Sequence, residues 1–391
     1  MIHCQLLSFN SLTMIKWLFK YGAVIFLFNT VLLAIESTKA IGDQVFLVLM
    51  AVYAIALLIN PQQIKNVLFH KAFSFLLILN LLNVFYFLIF HSINDIEAIK
   101  YLLARGIQFS IISLAIYFNY EYYKTKFLDH LVYVILFIVF VGLLLNADLF
   151  SGRYVGLIWN SNMLASFTSL AFAILFLKQK QHTRFEVFLL LLLFVISIST
   201  GSRGVLLPLA LAFLFKYGFS KRNIFYSFLA LSVYFLIVNI QLETSINRFA
   251  SQSLFNDRLL QYQYAYETIF KQPFFGFGLD KYAYIDPSVI PYSLRGYNIS
   301  AHNGYLAILT QYGLIFGSII LFMIFRKTVQ VSTWFKQSFE TERAYLFIII
   351  SALFAAVYET MITGINEFHT ILFWFGLAFL SYTKFTTDHE N

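Results

Sequence analysis

The chain is 391 residues long, 60% hydrophobic and only 12% charged, with a mean hydropathy of +0.75 and a formal net charge of +8. A soluble globular domain carries roughly 25% charge and about 45–50% apolar residues, so this composition excludes a protein that covers itself with polar groups in water. The single cysteine, Cys4, excludes an intrachain disulfide or a thiolate metal cluster, and its place ahead of the first apolar segment argues against a lipoprotein anchor.

A helix needs about 20 mostly apolar residues to cross the hydrocarbon core. Taken from the N-terminus, that rule predicts spans near 17–35, 44–60, 72–90, 102–118, 130–146, 160–177, 185–199, 204–216, 224–240, 303–325, 344–363 and 368–383. The expected fold class is therefore all-α, a single polytopic transmembrane domain over residues 1–391 with about twelve helices. The first span has no small-residue cleavage site and a second follows at once, so it is expected to be a retained helix. Twelve spans leave both termini on one side. With the N-terminus inside, the inner segments hold seventeen Lys and Arg residues and the outer ones ten, five of these in one long loop. Cytoplasmic loops carry the basic excess, so both termini are expected on the cytoplasmic side of the membrane. The basic residues then serve as topology signals, which argues against a nucleic-acid partner.

Between 241 and 302 the hydrophobicity breaks for some sixty residues, and this segment is expected to be a large extracytoplasmic loop. It is aromatic, with Tyr262, Tyr264, Tyr266, Tyr282, Tyr284, Tyr292 and Tyr297, and it holds three of the five prolines, Pro273, Pro287 and Pro291. Asn256 as N-cap and Asp257 in the first turn predict a helix running to about Phe270. Lys271-Gln272-Pro273 ends it, and Phe274-Phe275-Gly276-Phe277-Gly278 reads as a turn.

No HExxH, DxD or paired-cysteine motif offers a metal site, and no metal or other cofactor is expected. Glu36 and Asp43, in the first outer loop, read either as solvated carboxylates or as a divalent-ion site. Four other segments gather polar groups at the expected outer edge. They are Gly152-Arg153-Tyr154 through Asn160-Ser161-Asn162, Thr200-Gly201-Ser202-Arg203-Gly204, Asn256-Asp257-Arg258 leading to the Pro273–Gly278 turn, and Ala301-His302-Asn303-Gly304-Tyr305. Singly, each is an ordinary membrane-boundary segment. Together they bring three arginines and a histidine to one surface, as a lipid-linked pyrophosphate donor would require. Arginine binds phosphate oxygens through a planar fork and stabilises charge developing on a leaving group. Histidine accepts a hydroxyl proton near neutral pH. His91 and His369 are the rival outer histidines.

Arg153 with Gly156 and Asn162, Ser202-Arg203-Gly204, the arginine-led loop helix ending in Pro-Phe-Phe-Gly-Phe-Gly, and His302-Asn303 before a helix containing Gly313 resemble the O-antigen ligase and polysaccharide polymerase superfamily. The resemblance covers roughly residues 150–320. In place of the family's aromatic residue after the loop arginine stand Leu259-Leu260 and then Gln261-Tyr262. The resemblance implies a metal-independent glycosyltransferase at the outer face of the cytoplasmic membrane. It would move a glycan from undecaprenyl pyrophosphate to an acceptor hydroxyl with inversion. In this reading His302 activates or orients the acceptor, Arg203 and Arg258 hold the pyrophosphate, and Arg153, Asn162, Asn303 and Tyr305 line the substrate site. A polymerase is the first expectation, with a flippase and a chain-length regulator as implied partners. A ligase acting on lipid A-core is the alternative. A secondary transporter is the alternative of another class, and would rely on Arg105 or Glu359.

Overall fold

The computed structural model describes residues 2–59, 61–149, 153–178, 181–238, 256–279, 302–335 and 340–390, and all regular structure among them is helical. The elements are α1 (Ile2–Leu33), a 3-10 turn (Glu36–Thr38), α2 (Lys39–Ile59), α3 (Pro61–Leu68), α4 (Ser74–Phe90), α5 (Ile96–Phe118), α6 (Tyr120–Thr125) and α7 (Phe127–Leu145). There follow α8 (Ser161–Leu177), α9 (Arg184–Ser199), a second 3-10 turn (Arg203–Val205), α10 (Leu206–Tyr217), α11 (Lys221–Val238), α12 (Asn256–Lys271), α13 (Gly304–Phe335), α14 (Glu340–Ala355) and α15 (Phe368–Glu390). Five spans among the described residues are long and apolar enough to cross a membrane: Ile15–Leu33, Glu36–Ile59, Ile96–Phe118, Phe127–Leu145 and Gly304–Phe335. The chain is a polytopic helical membrane protein.

Three predicted segments differ from the structure. The 204–216 segment forms α10, twelve residues long, or about 18 Å at 1.5 Å per residue. That is short of the roughly 30 Å hydrocarbon core. The helix at 303–325 continues to Phe335 and breaks at Gly313. The helix at 344–363 stops at Ala355, and residues 356–367 are turns whose carbonyls are captured by other elements. Of the long loop, the predicted helix is α12. Residues 239–255 and 280–301, with Tyr282, Tyr284, Tyr292 and Tyr297, lie outside the described residues.

Helix α5 packs against α1, α4 and α15, while α8 packs against α7, α9 and α10. Helix α14 touches α8, α10 and α15 and so joins the two groups. In α15 every residue from Ile371 to Leu380 is buried, which is why that stretch is apolar on all faces instead of one stripe. Close approach relies on small residues, as expected where lipid removes the hydrophobic drive between helices. A Cβ on Gly22 of α1 would lie 2.4 Å from Ile111 of α5.

The two ends of the bundle collect different connections. At one end Trp159 N–H donates to Ala34 O, Tyr154 N–H to Ser199 O, and Tyr358 OH to Gly204 O. At the other, Lys178 pairs with Asp129 at 2.7 Å, Lys216 donates to Lys178 O, and Tyr123 OH donates to Lys20 O.

The Pro273–Gly278 turn is seated in the break of α13. Gly313 has φ +70, and around it the helix's own ladder is replaced by bonds to the turn. Leu314 N–H donates to Pro273 O at 2.6 Å and Ile315 N–H to Phe274 O at 3.2 Å. In return Phe277 N–H donates to Thr310 O and Gly278 N–H to Gln311 O. Tyr86 OH donates to the carbonyls of Phe275 and Gln311. Gly276 has φ +73, and a Cβ there would sit 2.4 Å from Gly313 N. Gly276→Ala should therefore cost about 2 kcal/mol or more, from left-handed backbone strain plus overlap. The readout is the melting midpoint of purified protein in detergent, and an unchanged midpoint would show that the turn is not seated this way.

Candidate functional site

The turns after Ala355 draw the predicted segments to one place. Gly304 N–H, at the start of α13, donates to Ala356 O at 2.7 Å and to Glu359 O at 3.0 Å. Val357 O accepts from Asn303 Nδ2 at 2.8 Å and from Tyr262 OH at 2.6 Å. Tyr358 reaches the second 3-10 turn, where its hydroxyl donates to Gly204 O at 3.0 Å. A Cβ on Gly204 would lie 3.0 Å from the Tyr358 ring, so glycine lets the ring close on the backbone.

His302 precedes α13 with φ +36, the one non-glycine residue at positive φ among the described residues. Its Nδ1 lies 3.2 Å from Glu359 Oε2, and both side chains are partly exposed. Arg203 opens the turn that carries Gly204. Arg258 belongs to the first turn of α12, four residues before Tyr262 and thus on the same helical face. The side chains of Arg203 and Arg258 lie outside the described residues. The backbone positions 203, 258 and 302 are each within one helical turn of a residue bonded to, or adjacent to one bonded to, the 357–359 segment.

The remaining predicted residues have structural partners. Asn303 Oδ1 accepts from the N–H groups of Tyr305 and Leu306, both at 3.0 Å, so this side chain caps α13 while its amide holds Val357. Tyr305 points its hydroxyl at Leu353 O at 2.6 Å and stacks on Phe325, bracing α13 against α14. Arg153 donates through Nη2 to Asn162 Oδ1 at 2.5 Å, and Asn162 N–H is bound by Asn160 at the start of α8. Tyr154 beside it donates to Asn146 O, and burial raises its phenol above the ordinary range. Arg153 thus stands at the α8–α9 side of the same end, joined to the rest through Ser199.

The rival histidines differ from His302. His91 Nε2 accepts Leu279 N–H at 3.1 Å and Nδ1 faces Asp95 at 2.6 Å. An imidazole that accepts at Nε2 carries its proton on Nδ1, so this ring is spent holding the chain after the Pro273–Gly278 turn. His369 lies within the first turns of α15, against Phe167. Arg105 is buried, and donates to Gln108 and to the carbonyl of Thr363. Gln108 in turn donates to Ile365 O at 2.6 Å, so this pair secures the 363–365 backbone. Glu36 opens a 3-10 turn and Asp43 lies in the second turn of α2. No three His, Cys, Asp or Glu side chains gather among the described residues.

The sequence did not single out Tyr358, and Glu359 stood out only as a transporter-type charge, because both were counted inside a span. The available signal was a Tyr-Glu-Thr run in the 344–363 segment, with a carboxylate costly at membrane depth.

Fold and site together define a helical membrane protein with a histidine, a carboxylate and two arginine-bearing backbone segments clustered at one end of the bundle. Residues 188–322 match the family model described as O-Antigen ligase, so this part of the chain is similar to the O-antigen ligase and polysaccharide polymerase superfamily, in keeping with a membrane protein of polysaccharide biosynthesis. Arg203, Arg258, His302, Asn303 and Tyr305 fall inside the matched region, whereas Arg153, Asn162 and Glu359 fall outside it. No curated protein matches the chain.

The cap geometry predicts a graded response at position 303. Asn303→Ser keeps a cap acceptor but loses the donor to Val357, and Asn303→Ala loses both. Melting should fall from wild type to Ser to Ala, with the alanine variant costing about 1–2 kcal/mol. Equal melting of all three would remove the capping role.

Proposed function

We propose that this protein is a polysaccharide polymerase that transfers a glycan from undecaprenyl pyrophosphate to a sugar hydroxyl at the outer face of the cytoplasmic membrane. The observation that carries the reading is the family match over 188–322 together with the meeting of its histidine and two arginine-bearing segments at the 357–359 turn. In the proposed reaction His302 Nε2 takes the proton of the acceptor hydroxyl as that oxygen attacks the anomeric carbon. The bond from that carbon to the pyrophosphate oxygen breaks, the electron pair leaves with undecaprenyl pyrophosphate, and the configuration inverts. Arg203 and Arg258 bind the departing charge and take the part a metal ion plays elsewhere. Arg153 supports them from the α8 side.

A ligase that delivers the same glycan to lipid A-core is favoured by the description of the matching family and differs only in the acceptor. A polymerase would work with a flippase and a chain-length regulator. The proposed topology has about twelve spans, both termini in the cytoplasm and residues 241–302 outside. It is supported by the basic-residue asymmetry and by the separation of the two sets of connections to opposite ends of the bundle.

Transfer is measured with the lipid pyrophosphate-linked repeat unit extracted from the source cells, using protein in liposomes with chelator present. Wild type should stay active in chelator, and His302→Ala should lose roughly 100-fold or more in rate while still binding undecaprenyl pyrophosphate. Arg203→Lys and Arg258→Lys should lose both rate and binding, because lysine lacks the bidentate fork. A near wild-type rate for His302→Ala refutes the base assignment, and loss of activity in EDTA with recovery in Mg²⁺ refutes metal independence. Growth of the repeat unit on itself marks a polymerase, and transfer only to lipid A-core a ligase.

Orientation is read separately with an impermeant thiol reagent on cells with a permeable outer layer. Ser288→Cys should react and Ser338→Cys should not, and the reverse pattern inverts the topology.

A further inference from the structure

We propose that Glu359 is the positioning residue for His302. Its carboxylate accepts a hydrogen bond from Nδ1–H and leaves Nε2 as the ring nitrogen that receives the acceptor's hydroxyl proton. This rests on the glycosyl-transfer reading of the same site and adds a residue outside the region matched by the family model.

The geometry carries the assignment. Glu359 Oε2 and His302 Nδ1 are 3.2 Å apart across 57 residues of sequence. Glu359 is fixed by its backbone on both sides: its N–H donates to Ala355 O at 2.8 Å and its carbonyl accepts Gly304 N–H at 3.0 Å. The carboxylate is therefore held by bonds that no change of its side chain removes. His302 is held from the other direction, because Asn303 next to it caps α13 and is tied to Val357. The positive φ of His302 costs about 1–2 kcal/mol for a residue with a Cβ. Such strain persists where surrounding structure over-determines it, often at functional sites.

The chemistry follows from the tautomer. A neutral imidazole has one donor and one acceptor nitrogen. An ionised carboxylate only accepts, so it selects the form with the proton on Nδ1. That form presents an accepting lone pair at Nε2, where His302 makes no hydrogen bond among the described residues. When the hydroxyl proton arrives at Nε2 the ring becomes cationic, and its bond to the carboxylate becomes charge-assisted on both sides, roughly doubling in strength. The proton stays on the imidazole, and the carboxylate remains ionised throughout. Glutamine at 359 removes the charge, and its amide can donate to Nδ1, which selects the tautomer with the proton on Nε2. That form cannot act as a base at Nε2.

The test uses the full chain in liposomes, with the extracted lipid pyrophosphate-linked repeat unit as substrate and undecaprenyl pyrophosphate as binding probe. Glu359→Gln should lower kcat by roughly 100-fold, while KM for the donor and affinity for undecaprenyl pyrophosphate stay within about threefold. Glu359→Asp keeps the charge on a shorter arm and should recover about tenfold over the glutamine variant. A glutamine variant with kcat within about twofold of wild type, alongside an inactive His302→Ala, overturns the positioning role and leaves the glycosyl-transfer reading standing. An active His302→Ala overturns the base assignment and this inference with it, whereas absence of transfer by the wild-type protein overturns the glycosyl-transfer reading itself. If Glu359→Gln melts lower than wild type, Glu359→Asp decides: recovered kcat supports the carboxylate, and an aspartate no better than glutamine overturns it.

Discussion

A helix that stops inside an apolar bundle leaves its last carbonyls without intrahelical partners, and lipid offers none in their place. Helix α14 stops at Ala355, and the chain then runs through turns to Phe368. Those turns exist because protein donors reach them. Gly304 N–H serves Ala356 and Glu359, Asn303 and Tyr262 serve Val357, Arg105 serves Thr363, and Gln108 serves Ile365. The donors come from α5, α12 and the start of α13, elements far apart in sequence. Satisfying one irregular backbone stretch is therefore what draws those elements together, and Tyr358 brings in the turn before α10.

The seam at Gly313 answers the same constraint in another way. Breaking α13 frees carbonyls and N–H groups in its interior, and the Pro273–Gly278 turn supplies backbone partners for them. Exchange of backbone bonds in both directions requires two main chains in contact, so glycine stands at both faces, Gly276 and Gly313. Because α12 runs directly into this turn, its register against α13 is set, and with it the height of position 258 relative to position 302. Tyr86 and the His91–Asp95 pair close the seam from α4 and the start of α5, and Gln311 closes it from within α13.

Much of this was legible in the residues. Apolar length located the helices, Asn256-Asp257 the start of α12, and the composition the membrane setting. The Pro-Phe-Phe-Gly-Phe-Gly run reads from sequence as a turn, and its docking partner, thirty-five residues and a loop away, does not. Apolar length also carried the 344–363 segment too far, since Val357 and Ile362 fit a span by hydropathy although the backbone around them bonds outside a helix. For the same reason Glu359 read as a transporter-type charge inside the bundle. Asn303 carries a role that its place beside His302 does not disclose in sequence: local capping demand, decided by which N–H groups α13 leaves open, engages its side chain.

Around the candidate site the side-chain anchors are made by neighbours of the ionisable residues, whereas farther along the turns Arg105 itself serves Thr363. Asn303 anchors beside His302, Gly204 beside Arg203, Val357 and Tyr358 just before Glu359, and Tyr262 one turn after Arg258. This division sets the charged groups at one end of an apolar bundle on backbone that neighbouring residues hold in place. It also ties reactivity to packing. In reactions that depend on preset geometry, a displacement of about 1 Å can cost roughly 100-fold in rate, and here the anchors share single acceptors such as Val357 O. Losing Tyr262 or Asn303 would not remove a charge. It would free the turn that carries Glu359, so the histidine and its carboxylate would lose their alignment before the bundle lost its fold.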